Sequence, residues 1–517
     1  MLRSSFQIKM RRCSLQNTKD KIYRQPTKRT GKHDDENCFE GKTYPPGTKF
    51  AFCVAEDINP GAGYVMSHLR NLGYEVKLFF DPKQGNRGYS QNKFMEKNLS
   101  VQDWLIKDMN DFRPDVICFS VLSATYQWGV KFAERVKKEV GGHIIFGGTM
   151  PTLVPEVVSE NWFIDEVVQG DGVRHFGGKF NPDEQWPVRA DFFAELPPEH
   201  RKTQLFMTSY GCPYNCTFCG NEQLRAVGQY VKMKRTVESC VDELEYMKKQ
   251  WGLENVLFVD DILTLDKKWL MEFLPEYRKR VNCEFACFGH VNCLDEEMIA
   301  EMAKSNCKTI WLGIQSGCAK HRKETLDRPE TNEQILRVSG WIKKYGIKLM
   351  VDHICGLPQE SEMTHELSYN LYKAIDADVI NVYECLYFPK AKINDYALEC
   401  GYLVPEDIEK INTGRHVVYQ QGNKGNYFYD KYQKALISLP LKSIIFECLP
   451  PNVIKLIVHI RAGRGYIANA MIQNELFFTA RAILKRLGLY KRAKVREEVT
   501  MHKSYQKGKL DKVGVLK

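Results

Sequence analysis

No stretch of this chain approaches the roughly 18 uninterrupted apolar residues of a membrane-crossing helix, and Met1 to Arg12 carries no apolar run of the kind a secretory leader needs. A cytoplasmic protein without a transmembrane segment is therefore expected. A disulfide framework is missing as well. The 17 cysteines are odd in number and scattered through 517 residues, whereas secreted disulfide scaffolds are short and carry even sets. Reduced thiols fit better, and for Cys53, Cys118, Cys240, Cys307 and Cys448 simple burial is the expectation. The middle of the chain also lacks positive charge. Residues 1–49 hold 12 Lys and Arg against 5 Asp and Glu, and residues 481–517 hold 12 against 3, so a net charge of +10 leaves −6 between them. Such basic ends read as solvated tails, at 1–48 and 481–517, and nucleic acid is not the expected partner.

What is present is an alternation of short apolar runs with helical stretches, the pattern of βα units on a parallel sheet. A first series predicts strands at 50–55, 76–80, 116–120, 144–148 and 166–170, with helices such as 63–72 and 127–140 between them. Ligands of such doubly wound sheets sit beyond the carboxyl ends of the strands, here Asp57 to Gly63, Ser120 to Tyr126, Gly147 to Thr152 and Gly170 to Gly172. After a Gly-, Pro- and charge-rich linker, a second series predicts strands at 205–210, 256–260, 284–288, 310–314, 348–353 and 379–383. Its predicted helices are 237–251, 268–280, 296–305, 332–345 and 363–375, with Thr236 and Thr331 as N-caps. The fold class is thus α/β. A doubly wound, Rossmann-like domain occupies 49–178, a linker 179–201, a partial (β/α)6 barrel 202–400 and a helical cap 401–480. Catalytic groups of such a barrel belong at the carboxyl ends of its strands.

Directly after the first barrel strand stands Tyr210-Gly211-Cys212-Pro213-Tyr214-Asn215-Cys216-Thr217-Phe218-Cys219-Gly220, a C-x3-C-x2-C spacing. Three thiolates on a short loop can hold three irons of a cubane cluster and leave the fourth iron open, whereas a closed electron-transfer cluster needs a fourth Cys. A structural zinc site also wants four ligands, and no further Cys or His follows until Cys240. A second cysteine set, Cys283-x3-Cys287-x5-Cys293, reads as core packing, because Cys283 and Cys287 share one strand face and Cys293 falls beyond the strand end.

The three-cysteine loop, with Phe218 before its last Cys, resembles the signature of the radical S-adenosylmethionine (SAM) superfamily. The likeness extends through Phe258-Val259-Asp260-Asp261-Ile262-Leu263-Thr264, Gly313-Ile314-Gln315-Ser316-Gly317 and Asp352-His353-Ile354-Cys355-Gly356-Leu357-Pro358. It implies a [4Fe-4S] cluster on Cys212, Cys216 and Cys219 whose open iron is chelated by SAM. It implies reductive cleavage to methionine and a 5′-deoxyadenosyl radical. Implied SAM contacts are Phe218, Asp260, Asp261, Gln315, Ser316 and Asp352, with an amide at Gln315 where relatives often carry Glu. An electron donor such as flavodoxin or ferredoxin is implied as a partner.

The N-terminal domain resembles the cobalamin-binding domain preceding the barrel in one large radical SAM class. The resemblance implies cobalamin as a further cofactor, in a cradle of Ser120, Ser123, Thr125, Gly147, Gly148, Thr149 and Gly170. The D-x-H-x-x-G motif of that domain has no counterpart, since the loop reads Asp57-Ile58-Asn59-Pro60-Gly61-Ala62-Gly63. A dinucleotide reading is disfavoured because the third glycine of G-x-G-x-x-G would fall at Met66. The expected activity is anaerobic, cobalamin-dependent radical chemistry, C-methyl transfer first, on an unknown small-molecule or lipid-like substrate. One alternative is a tRNA-modifying methylthiotransferase, which would need a second cluster on Cys13, Cys38, Cys53 or Cys118. The other is a non-catalytic cobalamin or iron-sulfur sensor.

Overall fold

A computed structural model describes residues 41–56, 58–81, 101–227, 233–415, 433–441 and 449–461. The two predicted basic tails, apart from residues 41–48, and parts of the predicted cap lie outside the described residues.

The first series forms a five-stranded parallel sheet from β1 (Lys49–Ala55), β2 (Glu75–Asp81), β3 (Val116–Ser120), β4 (His143–Gly147) and β5 (Glu166–Val167), in the order β2-β1-β3-β4-β5. The order reverses between β1 and β3, which puts the ligand crevice of a doubly wound sheet at their carboxyl ends. Phe50, Phe52 and Val54 face one layer of helices while Ala51 and Cys53 face the other, the period-2 alternation of a sheet covered on both sides. Burying side chains such as Phe50 and Phe80 contributes roughly 1.5–3 kcal/mol each, and both are fully buried. β5 is three residues shorter than the predicted strand 166–170. Gly170 has φ +89 and its N–H goes to Thr152 Oγ1 at 2.9 Å, so the chain leaves the sheet before it.

The second series forms a six-stranded parallel sheet in sequence order: β6 (Thr203–Phe206), then β9 (Asn255–Phe258), β10 (Glu284–Gly289), β11 (Cys307–Gln315), β12 (Lys348–Cys355) and β13 (Val379–Glu384). Between β6 and β9 a small antiparallel pair, β7 (Ser209–Tyr210) and β8 (Met233–Lys234), stands apart. The predicted strand 205–210 is therefore two pieces. The break falls at Met207 and Thr208, where the Thr208 N–H is taken by Asp260 rather than by a neighbouring strand. Helices Val237–Trp251, Lys267–Arg280, Glu296–Lys304, Asn332–Lys344 and Glu362–Ile375 cover the outside. Thr236 caps the first through Ser239 N–H, and Thr331 closes a capping box with Gln334.

The connection at 179–201 is packed rather than solvated. Val188, Phe192 and Leu196 enter the core of the first sheet. Arg189, which the two series share, pairs with Glu243 in a buried triad completed by Arg235 Nη1 at 2.6 Å from Glu243. Of the predicted cap, helices Pro405–Asn412 and Pro451–Arg461 are described, and Ile454 and Val458 of the latter are buried in the barrel's core cluster.

Candidate functional site

The three-cysteine loop leaves β7 at the carboxyl end of the barrel, and its shape is fixed by side chains from four directions. Gly211 takes φ +85, which only glycine adopts without strain. Arg225, one helical turn beyond the loop in helix Asn221–Ala226, donates to the carbonyls of Cys212 and Tyr214 and to Asn215 Oδ1. Thr217 donates from Oγ1 to Thr325 O at 2.7 Å, and its carbonyl receives Ile393 N–H at 2.9 Å. Phe218 packs into an apolar cluster with Leu326, Leu357, Tyr387 and Ile393. Tyr214 stacks on His290 at 4.0 Å. The loop is thus held independently of anything it binds.

The donor set suits a cubane. Burial drives the Cys212 thiol up to about 11 and raises those of Cys216 and Cys219; the charges of Cys216 and Cys219 add to the effect on Cys212 and that of Cys216 to the effect on Cys219, while Arg328 opposes the rise at Cys216. Thiols held in such surroundings ionise when a cation compensates them. A structural zinc site wants four ligands, and the loop offers three thiols, at Cys212, Cys216 and Cys219. Arg328 reaches Cys216 Sγ at 3.6 Å and Gly313 O at 2.6 Å, and it is ion-paired to Glu330.

The strand-end residues take different places. Asp260 is fully buried and accepts Thr208 N–H at 3.1 Å, Thr208 Oγ1 at 2.6 Å and Ser209 Oγ. It braces the strand that launches the cysteine loop. Asp261, next along, is exposed at the mouth and hydrogen-bonded to Asn221. Gln315 ends β11 with φ +66, a left-handed conformation rare outside glycine and typical of functional sites. Its Oε1 is buried without a hydrogen-bond partner, and its amide folds over Gly313, where a Cβ would meet Nε2 at 2.5 Å. Such an orphaned acceptor awaits a donor. Ser316 Oγ is engaged with Cys318 N–H and His321 Nδ1, so it holds the turn. Gly317 is required by packing, because a Cβ there would lie 2.2 Å from Ser368 Cα. Asp352 is pushed up to about 6 by burial, against the pull of Asn381 Nδ2 at 2.9 Å.

At the first sheet, Asn59 caps helix Pro60–Asn71 through Ala62 N–H at 2.9 Å and donates to Ser120 Oγ at 3.1 Å. Gly148 takes φ +108, and a Cβ there would stand 2.5 Å from Val121 O. Thr152, which the sequence did not single out, ties the crevice together by donating to Gly148 O and accepting Gly170 N–H. Ser123 and Thr149 are partly open at the starts of two helices, and Gly147 ends β4. Thr125 instead turns inward to accept Leu122 N–H at 3.0 Å. His68 meets Phe176 O, while His143 and His175 meet Glu166 at the opposite end of the sheet.

The two sheets address one another here. Helix Thr149–Leu153 packs against helix Asn221–Ala226, directly after the cysteine loop. Tyr210 Oη donates to Tyr64 Oη at 2.8 Å within a shared apolar cluster. Tyr64, Arg225, Arg328, Glu330 and His290 escaped the sequence reading, because nothing in their spacing separates them from ordinary core and surface residues. Cys283, Cys287 and Cys293 do not converge: they face Leu253 O, Cys307 and Tyr214 respectively.

Comparison with known proteins accords with this geometry. The radical SAM superfamily profile matches residues 206–371. An uncharacterized methyltransferase of Pyrococcus horikoshii is 23% identical over 67% of this chain and 83% of its own. Cytidylyl-2-hydroxyethylphosphonate methyltransferase of Streptomyces wedmorensis is 24% identical over 58% of this chain and 68% of its own. The solved structure of the radical SAM methyltransferase TsrM from Kitasatospora setae, with cobalamin and a [4Fe-4S] cluster bound, shares the fold at a TM-score of 0.55 and 15% identity, covering 69% of this chain and 80% of that one.

Proposed function

From the radical SAM domain at residues 206–371, we propose that this chain is a cobalamin-dependent radical SAM enzyme that transfers a methyl group to carbon. The observation that carries the reading is the packing of helix Thr149–Leu153, at the carboxyl end of the first sheet, against the helix that follows the cysteine loop. That contact brings the strand ends that would cradle a flat macrocycle next to the loop that would hold a cluster, the proximity that methyl transfer between their ligands requires. The relatives named methyltransferases support the same direction.

When bound, the cluster supplies the electron that cleaves SAM and the corrinoid supplies a transferable methyl group. The chain's own residues bind and orient. Cys212, Cys216 and Cys219 ligate the cluster, and Arg225 and Asp260 hold their loop. Gln315 Oε1 and the Asp261 and Asp352 carboxyls offer acceptors to the ammonium and ribose hydroxyls of SAM. Gly147, Gly148 and Gly170 would allow close approach of the corrin, and the hydroxyls of Ser120, Ser123 and Thr149 would offer hydrogen bonds to its amides. Asn59 is committed to its helix cap, and no histidine of this domain among the described residues faces the crevice, so the corrinoid would be held without an imidazole from the domain. A methylthiotransferase reading finds less support, since Cys53 and Cys118 are buried in β1 and β3. Reduction would come from a flavodoxin- or ferredoxin-like donor.

The test is anaerobic reconstitution of the full chain followed by reduction with SAM. Formation of 5′-deoxyadenosine, lost in the Cys212→Ala/Cys216→Ala/Cys219→Ala protein, is expected. A sensor would cleave no SAM, and equal turnover in the triple-alanine protein would refute the assignment.

A further inference from the structure

Behind β12, on the face away from Asp352, lies a second polar group that the proposed chemistry does not use. Residues 353 and 355 share one face of the strand by alternation, and that face is covered by helix Glu362–Ile375. Within it His353, Cys355 and His365 place one ligand atom each inside 4.8 Å of the others, all three residues being buried. His353 is 1% exposed; its Nδ1 meets Tyr372 Oη at 2.9 Å, and its Nε2 has no hydrogen-bond partner. An imidazole fixed through one nitrogen by an oxygen partner, with the other nitrogen bare in the core, is the arrangement of a metal-ligating histidine and its outer-shell support. Burial also favours the neutral form of both imidazoles, which offers a lone pair. Glu360 borders the same space: its Oε2 accepts Gly356 N–H at 2.7 Å and stands 3.7 Å from His365 Nε2.

We propose that His353, Cys355 and His365, with Glu360 as the fourth ligand, hold a zinc ion at the back of β12. Tetrahedral zinc places its ligand atoms about 3.3–3.8 Å apart; the two imidazoles and the thiol already lie within 4.8 Å of one another, and the Glu360 carboxylate, which stands beside His365 Nε2 outside that group of three, would swing in to complete the site. The ion would join the strand end carrying Asp352 and the Gly356-Leu357-Pro358 turn to the covering helix, stiffening one wall of the SAM site without touching SAM. A donor set of two imidazoles, one thiolate and one carboxylate suits zinc better than magnesium or calcium.

The test uses the full-length Cys212→Ala/Cys216→Ala/Cys219→Ala protein, which has no cluster ligands left to compete for metal. Cobalt(II) added to it should bind at about one per chain, with tetrahedral visible bands and a thiolate-to-cobalt charge-transfer band, and zinc should displace it. Cys355→Ser should remove the charge-transfer band, and Tyr372→Phe should weaken cobalt binding about tenfold. Because replacing a core cysteine puts the fold at risk, zinc X-ray absorption of the parent triple-alanine protein gives a second readout, expected to show one sulfur at about 2.3 Å and the remaining ligands at about 2.0–2.2 Å. Absence of stoichiometric cobalt binding, a charge-transfer band that survives Cys355→Ser, or a zinc shell with no sulfur or with more than one would overturn the proposal.

Discussion

Asp260 offers a sharp test, because its position in the sequence points to a SAM contact while its contacts point to the cysteine loop. The Asp260→Ala protein would leave Thr208 N–H and the Thr208 and Ser209 hydroxyls facing a void where a carboxylate stood. An unsatisfied buried donor costs about 1–3 kcal/mol, and hydroxyls can reorient more readily than a backbone N–H. A loss of about 3–5 kcal/mol is expected for alanine. Asp260→Asn keeps one carbonyl acceptor but loses the charge, for about 1.5–3 kcal/mol. Urea denaturation of the full chain should report both losses as lower midpoints at unchanged slope. In the folded Asn variant, iron retention after reconstitution should fall while SAM affinity per loaded cluster stays within about twofold. An Asn variant as stable as the parent, or one with full iron and weak SAM binding, would show that Asp260 works on SAM rather than on the loop.

Other expectations are as specific. Glu243→Gln strips the charge that Arg189 and Arg235 share in the core and should cost about 3–5 kcal/mol in the same denaturation experiment. Arg328→Gln removes a cation at 3.6 Å from Cys216 Sγ and should make the cluster's midpoint potential more negative, by about 59 mV for each tenfold change in reduction equilibrium, read by redox titration. At the first sheet, Asp165 is held below the usual carboxylate range: burial alone would raise it, but Ile144 N–H and Lys137 more than reverse this. Its contribution is therefore present above the unfolded carboxylate value and disappears as pH falls through the folded one. Asp165→Asn should cost about 1 kcal/mol at pH 7, with the gap to the parent closing below about pH 4, measured by urea midpoints across pH.

How much of this was legible in the sequence depends on whether a residue's role is local. The β strands and outer helices announced themselves through period, and Thr236 and Thr331 did so through capping chemistry, because hydrophobic alternation and N-caps act within a few residues. The cysteine loop was legible because its spacing alone encodes ligand geometry. By contrast, the break at Met207 and Thr208 depends on Asp260, 52 residues away, and the loop's supports Arg225 and Arg328 acquire meaning only once the chain has folded. The segment at 179–201 shows the same limit: its Gly, Pro and charges mark a linker, but the packing of Val188 and Phe192 and the pairing of Arg189 with Glu243 depend on residues far along the chain. His353 and Cys355 share a strand face by alternation, but His365, 12 positions beyond His353, joins them only through the packing of a helix on that strand.

On the proposed function, the first sheet holds a corrinoid against the radical SAM domain. The decisive measurement is the corrinoid retained by the reconstituted full chain after free hydroxocobalamin has been removed, read by ultraviolet–visible spectroscopy and by mass spectrometry of the released cofactor. About one corrinoid per chain is expected, in a form without a histidine ligand and unchanged by His68→Ala, His143→Ala or His175→Ala. A chain that cleaves SAM but retains no corrinoid, or one whose corrinoid spectrum changes in any of those variants, would contradict it.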